Sequence, residues 1–161
     1  MRTVATIGVY GWTVDAWLDA LRAADVRLVL DVRQRRGVRG SEYSWANAQR
    51  LEAALADAGV AYEHRKELAP TTELRRLQYT EDDRVGVGKR SRRALAPAYV
   101  ERYTREILGQ VDLGSIVEGL PVDGASVLMC VERDPEACHR SLIADRLASE
   151  LDFAVTHLRP A

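Results

Sequence analysis

From the N-terminus to His64 the chain alternates between two hydrophobic periods, and that alternation limits the possible folds. Thr3 to Val9 is apolar and β-branched; Thr13 then stands as an N-cap before Val14, Trp17, Leu18 and Leu21 at helical spacing. Val26 to Val32 is a second strand-like run, followed by an arginine-rich loop to Gly40. The pattern next predicts a helix from about Ser44 to Ala58, stopped by Gly59, and a short third strand over Val60 to His64. Strand, helix, strand, helix, strand is the order of a largely parallel sheet with right-handed crossovers.

Beyond His64 the pattern weakens and then returns. A basic insertion at about 66–97 holds a predicted helix from Pro70, Thr71 and Thr72 to about Gln78. Gly86, Gly88 and the block Lys89, Arg90, Arg92 and Arg93 read as an exposed loop. Pro97 to Leu108 is predicted helical, with Tyr99, Val100, Tyr103 and Ile107 on one face that should pack against the sheet. A helical turn at Ile116 to Leu120, a strand ending near Val131, a helix from Pro135 to about Leu151 and a strand over Ala154 to Leu158 complete the chain. The expectation is a single three-layer α/β domain over residues 1–161, its mostly parallel sheet flanked by helices.

With 161 residues, 47% of them apolar and 29% charged, the chain can bury a core without staples. No apolar stretch reaches membrane-spanning length, and the N-terminus reads as a strand rather than a signal peptide, so cytoplasmic residence and no membrane partner are expected. The net charge of -1 conceals an asymmetry: arginines crowd the 33–39 loop and the 89–93 block, whereas the acids are scattered. A local basic patch suits a polyanion, although solvated charge runs are common.

Chemistry concentrates in Cys130-Val-Glu-Arg-Asp-Pro-Glu-Ala-Cys138-His139-Arg140, where an apolar strand should turn into a helix. Asp134 is placed as N-cap and Pro135 as first helical residue, which sets Cys138, His139 and Arg140 in the first turns beside N–H groups that favour an anion. Glu132 is a general base, an electrostatic stabiliser or an ion-pair partner of Arg140. Asp31 has the same alternatives with Arg33. His139 is a general acid, a phosphate ligand or a packing residue, and Cys138 at a helix start is a nucleophile or redox thiol. Cys130, Cys138 and His139 make a poor zinc pattern, lacking a CxxC pair and a clear fourth ligand, so no metal and no cofactor are expected. Gly88-Lys89-Arg90-Ser91 fails as a phosphate loop on glycine spacing and on the residue after the lysine. Arg36, Arg39, Tyr43 and Trp45 interleave charge with aromatic rings, as phosphate contact plus base stacking requires; the rings equally serve as anchors for the following helix.

Thr6-Ile7-Gly8, Leu30-Asp31-Val32-Arg33 and Cys130-x-Glu132-x-x-Pro135-x-x-Cys138-His139-Arg140 together resemble the domain-of-unknown-function family 488, across essentially the whole chain. The family often continues Thr-Ile-Gly with His-Ser. This chain has Val9-Tyr10-Gly11-Trp12, so no role of that histidine carries over. The resemblance implies a compact α/β domain with a site built from the Asp-Val-Arg loop and the Cys-His-Arg turn. It also implies an association, for some members, with excision of adenine methylated on its exocyclic amine.

For such an N-glycosylase Asp31 or Glu132 would supply the carboxylate, with His139 and Arg140 orienting a phosphate or protonating the departing base. Tyr10, Trp12, Tyr43 or Trp45 would stack it, and Arg33, Arg36, Arg39, Lys89 and Arg90 would grip DNA. The alternatives are a small-molecule enzyme using Cys138 on a phosphorylated metabolite, and a noncatalytic nucleic-acid or nucleotide binding module. Sequence does not fix the oligomeric state.

Overall fold

The computed structural model describes residues 2–161. Five strands, β1 (Thr3–Ile7), β2 (Val26–Asp31), β3 (Ala61–His64), β4 (Ala125–Met129) and β5 (Ala154–Leu158), form one all-parallel sheet in the order β3-β2-β4-β1-β5. The α/β expectation is met, and β5 has its expected bounds. β4 is central and buried along its whole length, which is why it reads as a continuous apolar run.

The helices are α1 (Val14–Ala23), α2 (Ala48–Asp57), α3 (Thr72–Val85), α4 (Pro97–Tyr103), α5 (Leu113–Glu118) and α6 (His139–Leu151). Thr13 caps α1 as expected, its hydroxyl accepting from the Ala16 N–H at 3.2 Å. From β1 through β2 to β3 the chain steps one way along the sheet. From β3 to β4 and on to β5 it steps back. Right-handed crossovers therefore put α1 and α2 on one face and the later helices on the other. The connection leaving β4 and those leaving its neighbours β1 and β2 go to opposite faces, which opens a crevice at the carboxyl end of β4.

Four expectations change. The predicted 44–58 helix is two pieces, a 3-10 turn Ser41–Ala46 and α2, parted by extended Asn47, whose side-chain oxygen accepts from the Val38 N–H at 2.8 Å. The helix predicted to end near Gln78 runs on to Val85 and stops at left-handed Gly86. Pro97 to Leu108 is helical throughout, but widens to a π-turn over Thr104–Leu108. The helix predicted from Pro135 is only a 3-10 turn, Pro135–Ala137; Asp134 makes no side-chain cap bond, Cys138 is extended, and α6 begins at His139.

Tyr99 and Tyr103 are buried and stacked at 6.0 Å, and the Tyr103 hydroxyl donates to the Leu68 carbonyl at 2.6 Å. Among the described residues no helix is long and apolar enough to cross a membrane.

Candidate functional site

The carboxyl end of β4 is shaped by a close approach that only glycine permits. A Cβ on Gly8 would fall 2.0 Å from the Glu132 carbonyl oxygen, so the end of β1 can lie against the loop after β4 only without a side chain there. The Val9 and Tyr10 N–H groups both donate to the Val131 carbonyl, at 2.9 and 3.1 Å. Arg140 holds the same loop from the other side, donating to the Glu132 carbonyl at 2.7 Å and the Arg133 carbonyl at 3.2 Å. Arg140 is fully buried and does not line the pocket. It clamps backbone, which corrects both the expected Arg140–Glu132 ion pair and the expected phosphate contact.

The Glu132 carboxylate meets Arg92 instead, at 3.3 Å. Arg92 is 7% exposed and is itself fixed by Asp82 at 2.7 Å and by the Ala137 carbonyl at 3.1 Å. Asp82 accepts from Gln78 at 2.9 Å, and Gln78 in turn accepts from the Ala96 N–H at 2.8 Å. The basic block is therefore not uniformly exposed: Arg90 and Arg93 are, Lys89 is half-buried, and Arg92 turns inward because two carboxylates pair it. Burial opposes the Lys89 charge, but Glu132 and nearby tyrosine and thiol groups outweigh it and hold its pKa above the usual value.

Behind Glu132 lie two reduced, buried thiols and an imidazole. His139 Nε2 donates to the Val32 carbonyl at 2.8 Å, an acceptor that fixes the tautomer, and Tyr103 packs on the ring at 5.5 Å. Nδ1 is thereby aimed at Cys130 Sγ and Cys138 Sγ, 3.9 and 3.7 Å away. Cys130 Sγ is also 3.5 Å from Glu132 Oε2. Burial pushes the Cys138 thiol up, but hydrogen bonding from Cys130 and the charges of His139 and Arg140 overcome it and leave the pKa well below ordinary. Cys130, the donor in that pair and buried beside Glu132, is pushed well above its usual range. Burial opposes protonation of His139, yet the Cys138 thiolate beside it raises its pKa.

A pocket of ≈ 50 Å³ is lined by Cys130, Glu132, Cys138 and His139 at its base and by Arg35, Arg75, Tyr79, Lys89 and Arg92 around them; Glu132 is its one carboxylate. The 66–97 segment supplies much of this wall. Next to it, sharing Arg35, Arg75, Tyr79 and Lys89, is a groove of ≈ 780 Å³ lined also by Tyr10, Arg39, Arg90 and Ser91 and by no acidic side chain. Arg90 lies over the rings of Tyr10 and Tyr43 at 4.9 and 5.3 Å, and the Tyr43 hydroxyl accepts from the Gly11 N–H at 3.0 Å.

Of the residues expected from sequence, Glu132, Cys138, His139, Arg33, Lys89, Tyr10, Arg39 and Arg90 line the pocket or the groove. Others have structural positions. Asp31 is fully buried, with both oxygens engaged by Arg33 and one also accepting from Tyr62 at 2.6 Å; it lines neither space. Arg36 bonds Tyr62 at 3.3 Å, Trp45 packs on Trp17 at 5.3 Å, Trp12 is 9% exposed, and Tyr43 backs Tyr10 at 5.3 Å. Sequence reading missed Arg35, Arg75, Gln78, Tyr79, Asp82 and the inward turn of Arg92. Gln78 and Asp82, one helical turn apart and in register with Leu74, were a readable sign of a polar helix face turned inward.

No match to the chain exists among curated proteins or among solved structures. The residue pattern that builds this site is nevertheless a family pattern. The model for "Domain of unknown function DUF488" matches residues 13–147, which takes in the Asp-Val-Arg clasp, the 66–97 segment and the whole Cys130–Arg140 loop, so the chain belongs to the DUF488 family.

Proposed function

We propose that the protein is a nucleic-acid-processing hydrolase in which Glu132 is the working carboxylate and the reaction is excision of a modified adenine, one methylated on its exocyclic amine. The observation that carries this reading is the continuity of a pocket whose single carboxylate is Glu132 with a groove that has five cationic side chains and no acidic one. Such a groove suits a phosphate backbone, and Tyr10 and Tyr79 add faces for a base once the exposed Arg90 guanidinium moves off the Tyr10 ring. The ≈ 50 Å³ pocket has room for a few waters and not for a purine. The base therefore lies in the groove and the pocket holds the attacking water. Glu132 takes a proton from that water as it attacks, or stabilises the oxocarbenium character of the sugar, as the C1′–N bond breaks; the base leaves with the bonding pair and takes up a proton.

The test is incubation with single-stranded and duplex DNA carrying amine-methylated adenine, with released bases measured by mass spectrometry. Free methyladenine that disappears in Glu132→Gln supports the reading. Binding without release turns the protein into a binding module, and neither binding nor release removes the nucleic-acid reading.

A second reading is favoured by the depressed pKa of Cys138 beside His139: a thiolate nucleophile acting on a small phosphorylated metabolite held by Lys89 and the arginines. Cys138→Ser separates the two. It abolishes the thiol reaction at the nucleophile, and base release survives it.

A further inference from the structure

We infer that Cys130, Cys138 and His139 form a binding site for one thiophilic divalent metal ion, of the zinc class, with Glu132 beside its open position. This stands on the donor set and is independent of the nucleic-acid reading. The three ligand atoms lie within 4.8 Å of one another. A tetrahedral zinc with Zn–S of about 2.3 Å and Zn–N of about 2.0–2.1 Å sets its sulfur–nitrogen edges at about 3.6 Å. The observed edges to His139 Nδ1 are 3.9 Å from Cys130 Sγ and 3.7 Å from Cys138 Sγ, so closure needs movements of a few tenths of an ångström on that side.

The imidazole is prepared for the role. Its far nitrogen donates to the Val32 carbonyl at 2.8 Å, the outer contact that typically orients a ligating histidine, and it leaves Nδ1 as the coordinating atom. Two thiolates and an imidazole are soft and borderline donors that select zinc over magnesium or calcium. Charge at the donors themselves also suits a cation: Arg92 is paired by Asp82 and Glu132 and Arg33 by Asp31, Arg35 and Arg75 lie where the pocket meets the neighbouring groove, and two thiolates oppose the charge of the ion.

Position decides what kind of site it is. All three donors and Glu132 line the pocket, so the fourth position faces solvent, as in catalytic zinc sites, and a water there lies within the reach of a carboxylate. The spacing of the cysteines hid this from sequence reading: they are separated by a loop that folds back instead of by the two-residue gap of a knuckle. On binding, any protons held by the two cysteines and by His139 Nδ1 are released to solvent.

The experiment uses the full chain, purified under reductant and stripped of metal with a chelator, and needs no substrate. Titration with Co²⁺ should show about one equivalent bound with intense near-ultraviolet thiolate-to-cobalt absorption and tetrahedral visible bands, and Zn²⁺ should bleach both. In parallel, one equivalent of Zn²⁺ should protect both cysteines from a thiol reagent and raise the melting temperature. Cys138→Ser should lower the near-ultraviolet band by about half, with its circular dichroism showing that it has folded. Co²⁺ that binds without thiolate absorption, or thiols that react at an unchanged rate with Zn²⁺ present, would overturn the site. Because these readouts are taken without DNA, base excision can fail while the metal site stands, and the reverse.

Discussion

At the carboxyl end of β2, Asp31 accepts two bonds from the Arg33 side chain, at 2.9 and 2.8 Å, and both side chains are essentially without solvent contact. At the carboxyl end of the neighbouring strand β4, Glu132 touches Arg92 at 3.3 Å through one oxygen, and Arg92 is already paired with Asp82. Both are buried carboxylate–arginine pairs, but only one has spare capacity. Arg33 also donates to the Ala46 carbonyl at 2.9 Å, and Tyr62 fills the remaining need of Asp31, so the β2 pair is a closed clasp between strand, loop and the turn before α2. Glu132 keeps an oxygen toward the thiols and the pocket. A carboxylate that works must be held by a partner that does not depend on it. Arg92 satisfies that condition and Arg33 does not.

The largest effect should come from breaking the closed clasp. Asp31→Asn leaves the Arg33 guanidinium buried without a counter-charge, a change that costs about 3–5 kcal/mol, a large part of the stability of a typical domain. Urea denaturation should show that loss, and Asp31→Leu combined with Arg33→Met should recover much of it. A fully stable Asp31→Asn would show that the clasp is not structural. Glu132→Gln should behave in the opposite way. Base release should fall about 100- to 10,000-fold, the usual worth of a positioned acid–base group, while the urea midpoint moves by less than half of the Asp31→Asn shift because Asp82 still pairs Arg92. Equal loss of stability in the two variants would erase the distinction between the strands.

A smaller effect tests the groove against the pocket. Arg90 is exposed and lies over Tyr10, outside the small pocket. Arg90→Ala should weaken DNA binding several-fold and lower the slope of log K against log salt by about one, leaving release at saturating DNA unchanged. A drop in single-turnover rate instead would move Arg90 into the reacting centre.

How far these differences could be read in advance depended on the range of the contacts that make them. β5 follows from its neighbours in sequence, as did the capping of α1 by Thr13. The Asp31–Arg33 pair is also local, two residues apart, and was among the sequence alternatives. Arg92 was not legible: its partners are 10 and 40 residues away, and without them it is one more arginine in a basic run. The start of α6 failed for a similar reason. Asp134 and Pro135 are good local start signals, but Cys138 is extended where its thiol faces His139 and Cys130, a tertiary demand that outweighed propensity. The site lies where the chain is least locally determined, between the end of one central strand and a segment, 66–97, whose packing is set by charge.

The smallest expected effect concerns Tyr62, the third member of the β2 clasp. Burial and its hydrogen bond to Asp31 push its pKa from 10.0 up to about 12. Since the folded value is the higher, the stability linked to the Tyr62 proton is fully present below pH 10 and is lost as the pH rises toward about 12. Tyr62 is partly exposed, so solvent screens the contact, and Tyr62→Phe should cost about 1 kcal/mol at neutral pH. The sharper signature is the shape of the curve. Wild type should lose stability between pH 10 and about 12 relative to pH 9, and Tyr62→Phe should lose less over that window. If the two curves stay parallel, the hydroxyl contributes nothing to the clasp and Asp31 has an oxygen to spare, which would make the two strand ends alike after all.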